Sequence, residues 1–426
     1  MNSLLRIPYA LAGQLAHSLV RVVPAGGSKF RRGLGARRGI VERYERWSSS
    51  SRDTSRALVW FHAPSVGEGL QAVPVIELVR KRRPDVQIAY TFYSPSAERF
   101  AASLDVDFAD YLPFDTFADA EAIIAALRPD ALVFSKLDIW PALTEKAASA
   151  EIPVGVISAT LAETSGRRSL LARAFLADAY KAIDRIGAID AKDAEHFREA
   201  GVRPESVTVT GDTRYDQVSA RAKQPPSPLV QSMRSSRPTL VAGSTWPADE
   251  VHLLSAWNKV RDKIPDARLV IAPHELTPGD IASVEGWARR RKLRLARIDA
   301  REAREADVVV VDRFGILGDL YALADVAYVG GGFHSAGLHS VLEPAAFGAP
   351  VLFGPRNDKS RDAAKLIESG GGAVVTGDTD LSIRLNDWLG SLPARDAAGE
   401  AARSMVESGI GAAERSFALV SALLDR

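Results

Sequence analysis

Cysteine is absent from all 426 residues. Its absence excludes disulfides, thiolate zinc sites and cysteine nucleophiles, and makes a reducing compartment the simpler setting. The seven histidines are scattered without an H-E-x-x-H or paired spacing, so a structural metal has no support. Acid is missing from one stretch: residues 1–41 hold seven basic side chains (Arg6, Arg21, Lys29, Arg31, Arg32, Arg37, Arg38) and no Asp or Glu. With +1 overall, the rest of the chain carries a formal −6, which argues against a general nucleic-acid binder. Short internal repeats and long low-complexity tracts are absent as well. What remains is globular in balance, 46% hydrophobic and 25% charged, with length enough for two domains.

Inside the basic stretch, Leu11, Leu15, Leu19 and Val22 recur at helical spacing after Pro8. Arg6, His17 and Arg21 interrupt the run, which is too short and too charged to span a bilayer comfortably. No small-x-small cleavage site follows it. The pattern predicts an amphipathic helix with a polybasic segment, residues 1–47, resting on an anionic membrane face. Each basic residue close to that surface contributes about 1 kcal/mol. The alternative is a basic helix packed on the first domain.

From Ala57 onward, short β-branched apolar runs alternate with helical stretches. Strands are expected at 58–62, 87–91, 131–134, 154–158 and 185–189, with helices at 70–82, 96–103, 118–127, 141–150 and 170–182. Lys223-Gln-Pro-Pro-Ser-Pro and Ser235-Ser-Arg-Pro238 have linker composition, so 223–238 reads as the join between a domain at 48–222 and one at 239–426. The second domain repeats the alternation. Its strands are expected at 239–243, 268–272, 308–311, 326–329, 351–353 and 373–375. Its helices are expected at 248–263, 279–291, 317–323, 340–347 and 360–368, and two closing helices follow at 395–408 and 412–424. This is the α/β pattern of two Rossmann-like, doubly wound parallel sheets, with ligands expected where strands end and loops enter helices.

Several such loops carry chemistry. In His62-Ala-Pro-Ser-Val-Gly-Glu-Gly69, Gly67 and Gly69 allow a tight turn. Glu68 opens the next helix, where the dipole favours its anion and where it could serve as a general base. Stabilising the helix start is its plainer role. Asp138-Ile-Trp-Pro141 offers an acid and an aromatic; the structural alternative is a helix cap and a core tryptophan. Arg214, in Gly211-Asp-Thr-Arg-Tyr-Asp216, could reach an anionic ligand. In the second half, Gly243-Ser-Thr-Trp246, Pro273-His274 and Phe314-Gly-Ile-Leu-Gly318 each follow a strand and open a helix. The strongest signal is 330–344, Gly-Gly-Gly-Phe-His-Ser-Ala-Gly-Leu-His-Ser-Val-Leu-Glu-Pro. Three glycines permit close backbone approach to a ligand, and Glu343 could accept from paired ribose hydroxyls.

In this order the motifs Ser-Val-Gly-Glu, x-Trp-Pro, Gly-Asp-Thr-Arg-Tyr-Asp and the late Gly-rich His-Ser-x-x-Glu-Pro block resemble the 3-deoxy-D-manno-octulosonic acid (Kdo) transferases. The resemblance runs from the basic segment to about Val375. It implies GT-B architecture, with two Rossmann-like domains facing across a cleft. It also implies metal-independent, cofactor-free transfer of Kdo from CMP-Kdo to a lipid A precursor at the cytoplasmic face of the inner membrane. Carried onto this chain, the resemblance makes Glu68 the base, with Asp138 and Arg214 where the family has Glu and Lys at the transition state. Substrate and nucleotide contacts would come from Ser65, Gly67, Ser244, Thr245, Pro273, His274, Phe314, Gly315, Ile316, Gly331, Gly332 and His339, and from the run Ser340, Val341, Leu342 and Glu343.

The chain also departs from the family pattern. Pro273-His274 stands for Pro-Arg-His, Phe314-Gly315-Ile316 for Met-Gly-Glu, and Leu338-His339-Ser340 for Gly-His-Asn. Ser158-Ala159-Thr160 stands for Asn-Ala-Arg, and Lys136 replaces an acid. The expected reaction is therefore an inverting glycosyl transfer. The alternatives are another nucleotide sugar, an epimerase of similar architecture, or a non-catalytic nucleotide- or lipid-binding relative.

Overall fold

In the computed structural model, described residues run from 28 to 425 and include, before them, residues 8, 9, 11, 13, 15, 17 and 18. They fall into two compact units, one formed by residues 1–217 with 411–426, the other by 218–410. The first unit follows the order α1 (Lys29–Ala36), α2 (Ile40–Ser51), β1 (Leu58–His62), α3 (Val66–Arg82), β2 (Gln87–Phe92), α4 (Glu98–Ala101), β3 (Phe108–Tyr111), α5 (Phe117–Leu127), β4 (Ala131–Ser135), α6 (Pro141–Ser149), β5 (Val154–Ala159), α7 (Leu170–Lys181), β6 (Arg185–Ala188), α8 (Ala191–Glu199) and β7 (Val207–Val209). Then comes α9 (Arg214–Lys223), in which the boundary falls. The second unit continues with α10 (Pro228–Ser232), β8 (Thr239–Thr245), α11 (Pro247–Lys263), β9 (Arg268–Pro273), α12 (Pro278–Arg290), β10 (Leu295–Arg297), β11 (Val308–Val310), α13 (Leu317–Leu320), β12 (Val326–Val329), α14 (Leu342–Ala346), β13 (Val351–Phe353), α15 (Arg361–Glu368), β14 (Gly372–Val374), α16 (Asp378–Gly390) and α17 (Leu392–Ser408). Helix α18 (Ala412–Leu424) returns to the first unit.

Both sheets have seven parallel strands, ordered β3-β2-β1-β4-β5-β6-β7 and β10-β11-β9-β8-β12-β13-β14. Central strands such as Leu58-Val-Trp-Phe-His62 are buried throughout. That is the expected state of parallel strands covered on both faces. Strand order reverses beside β1 and β4 in the first sheet and beside β8 and β12 in the second. At such switch points neighbouring loops leave in opposite directions and open a crevice at the carboxyl ends. Glu68 lies on the first turn of α3, just after β1, and Asp138 in the loop after β4; Ser244 lies at the end of β8, and the glycine run follows β12.

Three boundary expectations are corrected. Residues 412–424 do not close the second domain. Leu419, Val420 and Leu423 of α18 lie in the core of the first unit, and the Leu423 side chain packs where Gly155 leaves room. The segment 223–238 is not a free linker. It forms α10 and buries Val230 and Met233, whose carbonyl accepts from the enclosed Arg268 guanidinium at 2.8 Å.

The segment 1–47 is not wholly separate from the first unit. Leu34, Ile40 and Tyr44 are buried, and Arg43 pairs with Asp110 at 2.6 Å. Arg37 donates to the carbonyls of Gly33, Tyr93 and Leu112 and lies 3.9 Å over the Tyr93 ring. These residues cap the first unit rather than face a lipid. Leu19 and Val22 of the amphipathic stripe lie outside the described residues.

Leu423→Ala deletes a fully enclosed side chain, and we expect it to destabilise the first unit by about 3 kcal/mol, read by thermal or urea unfolding. A variant within 0.5 kcal/mol of the wild type (about the scatter of surface changes) would place α18 outside that core.

Candidate active site

Ser65 holds the N-cap position of α3 in extended conformation but makes no cap bond to the backbone. Its hydroxyl donates instead to Oε2 of Glu68, while Lys136 Nζ stands 3.4 Å from Oε1. Ser135 Oγ donates to the Glu68 carbonyl at 2.8 Å, tying the first turn of α3 to the end of β4. Gly67 and Gly69 are both helical, so neither serves a tight turn. Gly69 is required for packing, since a Cβ there would lie 2.6 Å from the Tyr90 hydroxyl.

Asp138 does not cap the next helix. Asp115 does so, accepting from the Ala142 and Leu143 amides at 3.0 and 2.9 Å and also from the Tyr9 hydroxyl. Burial pushes the Asp115 carboxyl up against those donors. Asp138 is thereby left to pair with Arg167 at 2.7 Å. Burial raises its carboxyl, Arg167 opposes the rise, and the nearby Glu68 charge adds to it. Trp140 packs against the core, stacked on Tyr93 at 5.0 Å and edge-on to His62. His62 is fully buried, which drives its imidazole down to about 3 and keeps it neutral. The first unit thus brings Ser65, Glu68, Lys136, Asp138 and Arg167 together. Arg214 opens α9 with its guanidinium engaged by Asp212 at 2.6 Å. Beside it, Thr213 donates to the Gln71 carbonyl of α3 at 2.6 Å.

In the second unit the organising residue is Asp249, on the first turn of α11 and wholly enclosed. Its carboxylate accepts from the amides of Trp246 (3.0 Å), Gly331 (2.7 Å) and Phe333 (3.1 Å) and from the Tyr328 hydroxyl (3.1 Å). The loops after β8 and β12 are thus clamped to one another. The glycines meet backbone directly: a Cβ at Gly330 would sit 2.6 Å from Thr245 Cα, and one at Gly332 would sit 2.6 Å from Gly354 Cα. Ser244 is held in the left-handed region at φ 53°.

Above this frame the Trp246 indole stacks on His334 at 4.0 Å and on His274 at 4.4 Å. Its N–H donates to His339 Nε2 at 3.2 Å. That bond requires a neutral His339, and burial beside His274 lowers its imidazole accordingly. A cavity of about 380 Å³ opens here, lined by Thr245, Trp246, Glu250, Pro273, Asp280 and His334. Phe314 is exposed, Gly315 takes φ 84° and Ile316 precedes α13.

Helix α14 begins at Leu342, with Glu343 in its first turn. Burial raises the Glu343 carboxyl, and Arg221 is its opposing charge. Val341 and Leu342 are core side chains, so of the expected contacts at these two positions only the backbone can meet a ligand. Asp249, Asp115 and Arg167 escaped the sequence reading. For Asp249 a signal was present: an acid three residues after Trp246, with Pro247 at the first helical position, is a helix-start pattern.

Glu250 titrates in a useful range. Burial lifts its carboxyl to about 7, although Thr245 donates to it at 2.8 Å. The unfolded chain releases that proton near the ordinary value of 4.5. Stability from this group is therefore complete at acid pH and is lost as pH rises from 4.5 to about 7, by about 3 kcal/mol. We expect Glu250→Gln to flatten the unfolding free energy across that window; an unchanged slope would refute the assignment.

Two doubly wound parallel-sheet units, one with a held carboxylate near its switch point and one with clamped glycine loops near its own, give the chain the GT-B type of fold. Residues 35–217 match the family described as 3-deoxy-D-manno-octulosonic-acid transferase (kdotransferase). The 3-deoxy-D-manno-octulosonic acid transferase of Haemophilus influenzae is 26% identical over 92% of each chain. That of Aquifex aeolicus is 27% identical over 82% of this chain and 90% of its own. Among solved structures, the UDP-GlcNAc 2-epimerase of Neisseria meningitidis bound to UDP-GlcNAc superposes with a TM-score of 0.60. It does so at 14% identity over 87% of this chain and 99% of its own, a likeness of fold. Residues 35–217 thus match the Kdo transferase family model, and the chain is similar to Kdo transferases over most of its length.

Proposed function

We propose that the chain transfers Kdo from CMP-Kdo to a lipid A-type acceptor, with Glu68 as the base, inverting the anomeric centre. The observation that carries this reading is the Glu68 carboxylate, fixed at the switch point between Ser65 and Lys136. Glu68 takes the acceptor hydroxyl proton, the oxygen attacks the anomeric carbon and the nucleotide monophosphate leaves. Asp138 and Arg214 support the developing charges on the acceptor side. The nucleotide is held by the loops that Asp249 clamps, with Glu343 toward the ribose hydroxyls.

We expect Glu68→Gln to lower turnover at least a hundredfold, about what removal of a general base costs. Stabilisation of the fold by CMP should stay intact, near 2.7 kcal/mol at about a hundred times its dissociation constant. Full activity in the variant would remove Glu68 from the mechanism. Stabilisation by UDP in place of CMP would assign another donor.

The enzyme works on the inner membrane, at its cytoplasmic side. Tyr9 and His17 meet the first unit, Tyr9 at Asp115 and His17 at Asp119 (2.7 Å), while Leu11 and Leu15 are 59% and 64% exposed. Phe30 is exposed among Lys29, Arg31 and Arg32, and Leu170 and Leu171 are exposed at the start of α7. No helix among the described residues is long and apolar enough to cross a membrane. Charging both positions, Leu11→Asp with Leu15→Asp, should cut partition onto anionic vesicles about tenfold or more. Unaltered partition would move the contact elsewhere.

A further inference from the structure

The strands β8 and β9 are parallel neighbours, and the helices that follow them, α11 and α12, line a groove of about 540 Å³. Glu250, Leu254 and Asn258 line it from α11 at helical spacing; Asp280, Trp287 and Arg290 line it from α12. Neither the glycine run nor Glu343 takes part, which sets the groove apart from the loops that Asp249 clamps.

Its chemistry changes from one end to the other. Glu250 and Asp280 both stand in first helical turns, so two carboxyls share one end. Burial lifts Glu250 to about 7, and the charges of Asp280 and Asp249 add to the rise against the Thr245 bond. An ammonium there would relieve that repulsion. Along the middle, Val251 is 70% exposed beside the buried Leu254, an apolar stretch. Trp287 follows, two turns or about 10 Å beyond Asp280 along the helix. It is 8% exposed, yet its indole N–H meets no acceptor among the described residues. A buried donor is costly to leave unmet. Arg290 lies one turn farther, exposed and without an ion pair among the described residues. Acid at one end, apolar surface between and unmet donors at the other complement a molecule that carries a cation, an apolar body and an anion in that order.

We propose that this groove binds an elongated zwitterion of the ω-amino carboxylic acid class. The ammonium lies between Glu250 and Asp280, the apolar body along Val251 and Leu254, and the carboxylate on the Trp287 N–H and Arg290. The site is independent of the transfer reaction.

The test titrates the full chain with 8-aminooctanoate, about as long when extended as that two-turn separation, and with octylamine and octanoate, which each lack one end. Calorimetry and the indole N–H resonances follow binding. The wild type should bind 8-aminooctanoate about tenfold tighter than either twin. The same probe should shift one indole resonance, absent from Trp287→Phe, that octylamine leaves in place. Arg290→Met should weaken 8-aminooctanoate about fivefold and keep octylamine within about twofold. Glu250→Gln should weaken both amines about fivefold and spare octanoate. Saturating CMP should change none of these affinities. Equal binding of the three probes, or no binding of 8-aminooctanoate at millimolar concentration, would overturn the proposal. Displacement by CMP would overturn it too, because the probe would then sit in the nucleotide site.

Discussion

Burying a carboxylate costs several kcal/mol unless its lone pairs are met by donors, and a single partner rarely suffices. Asp249 is wholly enclosed and meets three backbone amides and one phenol. Each bond stabilises the charge, and each in turn fixes a piece of chain: the start of α11, the glycine run after β12, and Tyr328 within that strand. The second unit's loops hold their shape because one anion would otherwise be unsolvated. Trp246 and its three imidazoles then stack on a surface that is already rigid.

The first unit solves the same problem with a division of labour. Asp115 caps α6, and that frees Asp138, three residues before the helix, to pair with Arg167. Ser65 gives up its capping bond for one to Glu68. The carboxylate that caps α6 and the carboxylates that meet neighbouring side chains are therefore different residues.

Much of the alternation was legible because inner parallel strands are unbroken apolar runs: β1, β12 and β13 fall where expected. The strands that escaped notice are β3 (Phe-Ala-Asp-Tyr), β7 (Val-Thr-Val) and β10 (Leu-Ala-Arg), all at sheet edges. Their exposed positions admit polar residues and erase the apolar signal. Polar helices such as α8 (Ala-Lys-Asp-Ala-Glu-His-Phe-Arg-Glu) were lost for the same reason. Glu68 and the glycine block were legible as motifs. The pairing of Lys136 with Glu68 and of Arg167 with Asp138 joins residues 68 and 29 positions apart, so local spacing could not reveal it. Arg37 misled in the other direction. In a run of basic residues it looks like a surface charge, yet it is consumed by three carbonyls.

The return of α18 makes residues 218–410 an insertion within the first unit. Asp216 staples the exit to the re-entry, accepting from the Gly411 and Ala413 amides at 2.8 and 3.1 Å. On the ribosome, chains emerge in order and domains fold as units. The inserted unit is contiguous and can complete its core while synthesis continues. The first unit begins earlier yet waits, with β5 uncovered, until α18 has been made. The unit that holds Glu68 is thus the last to become whole.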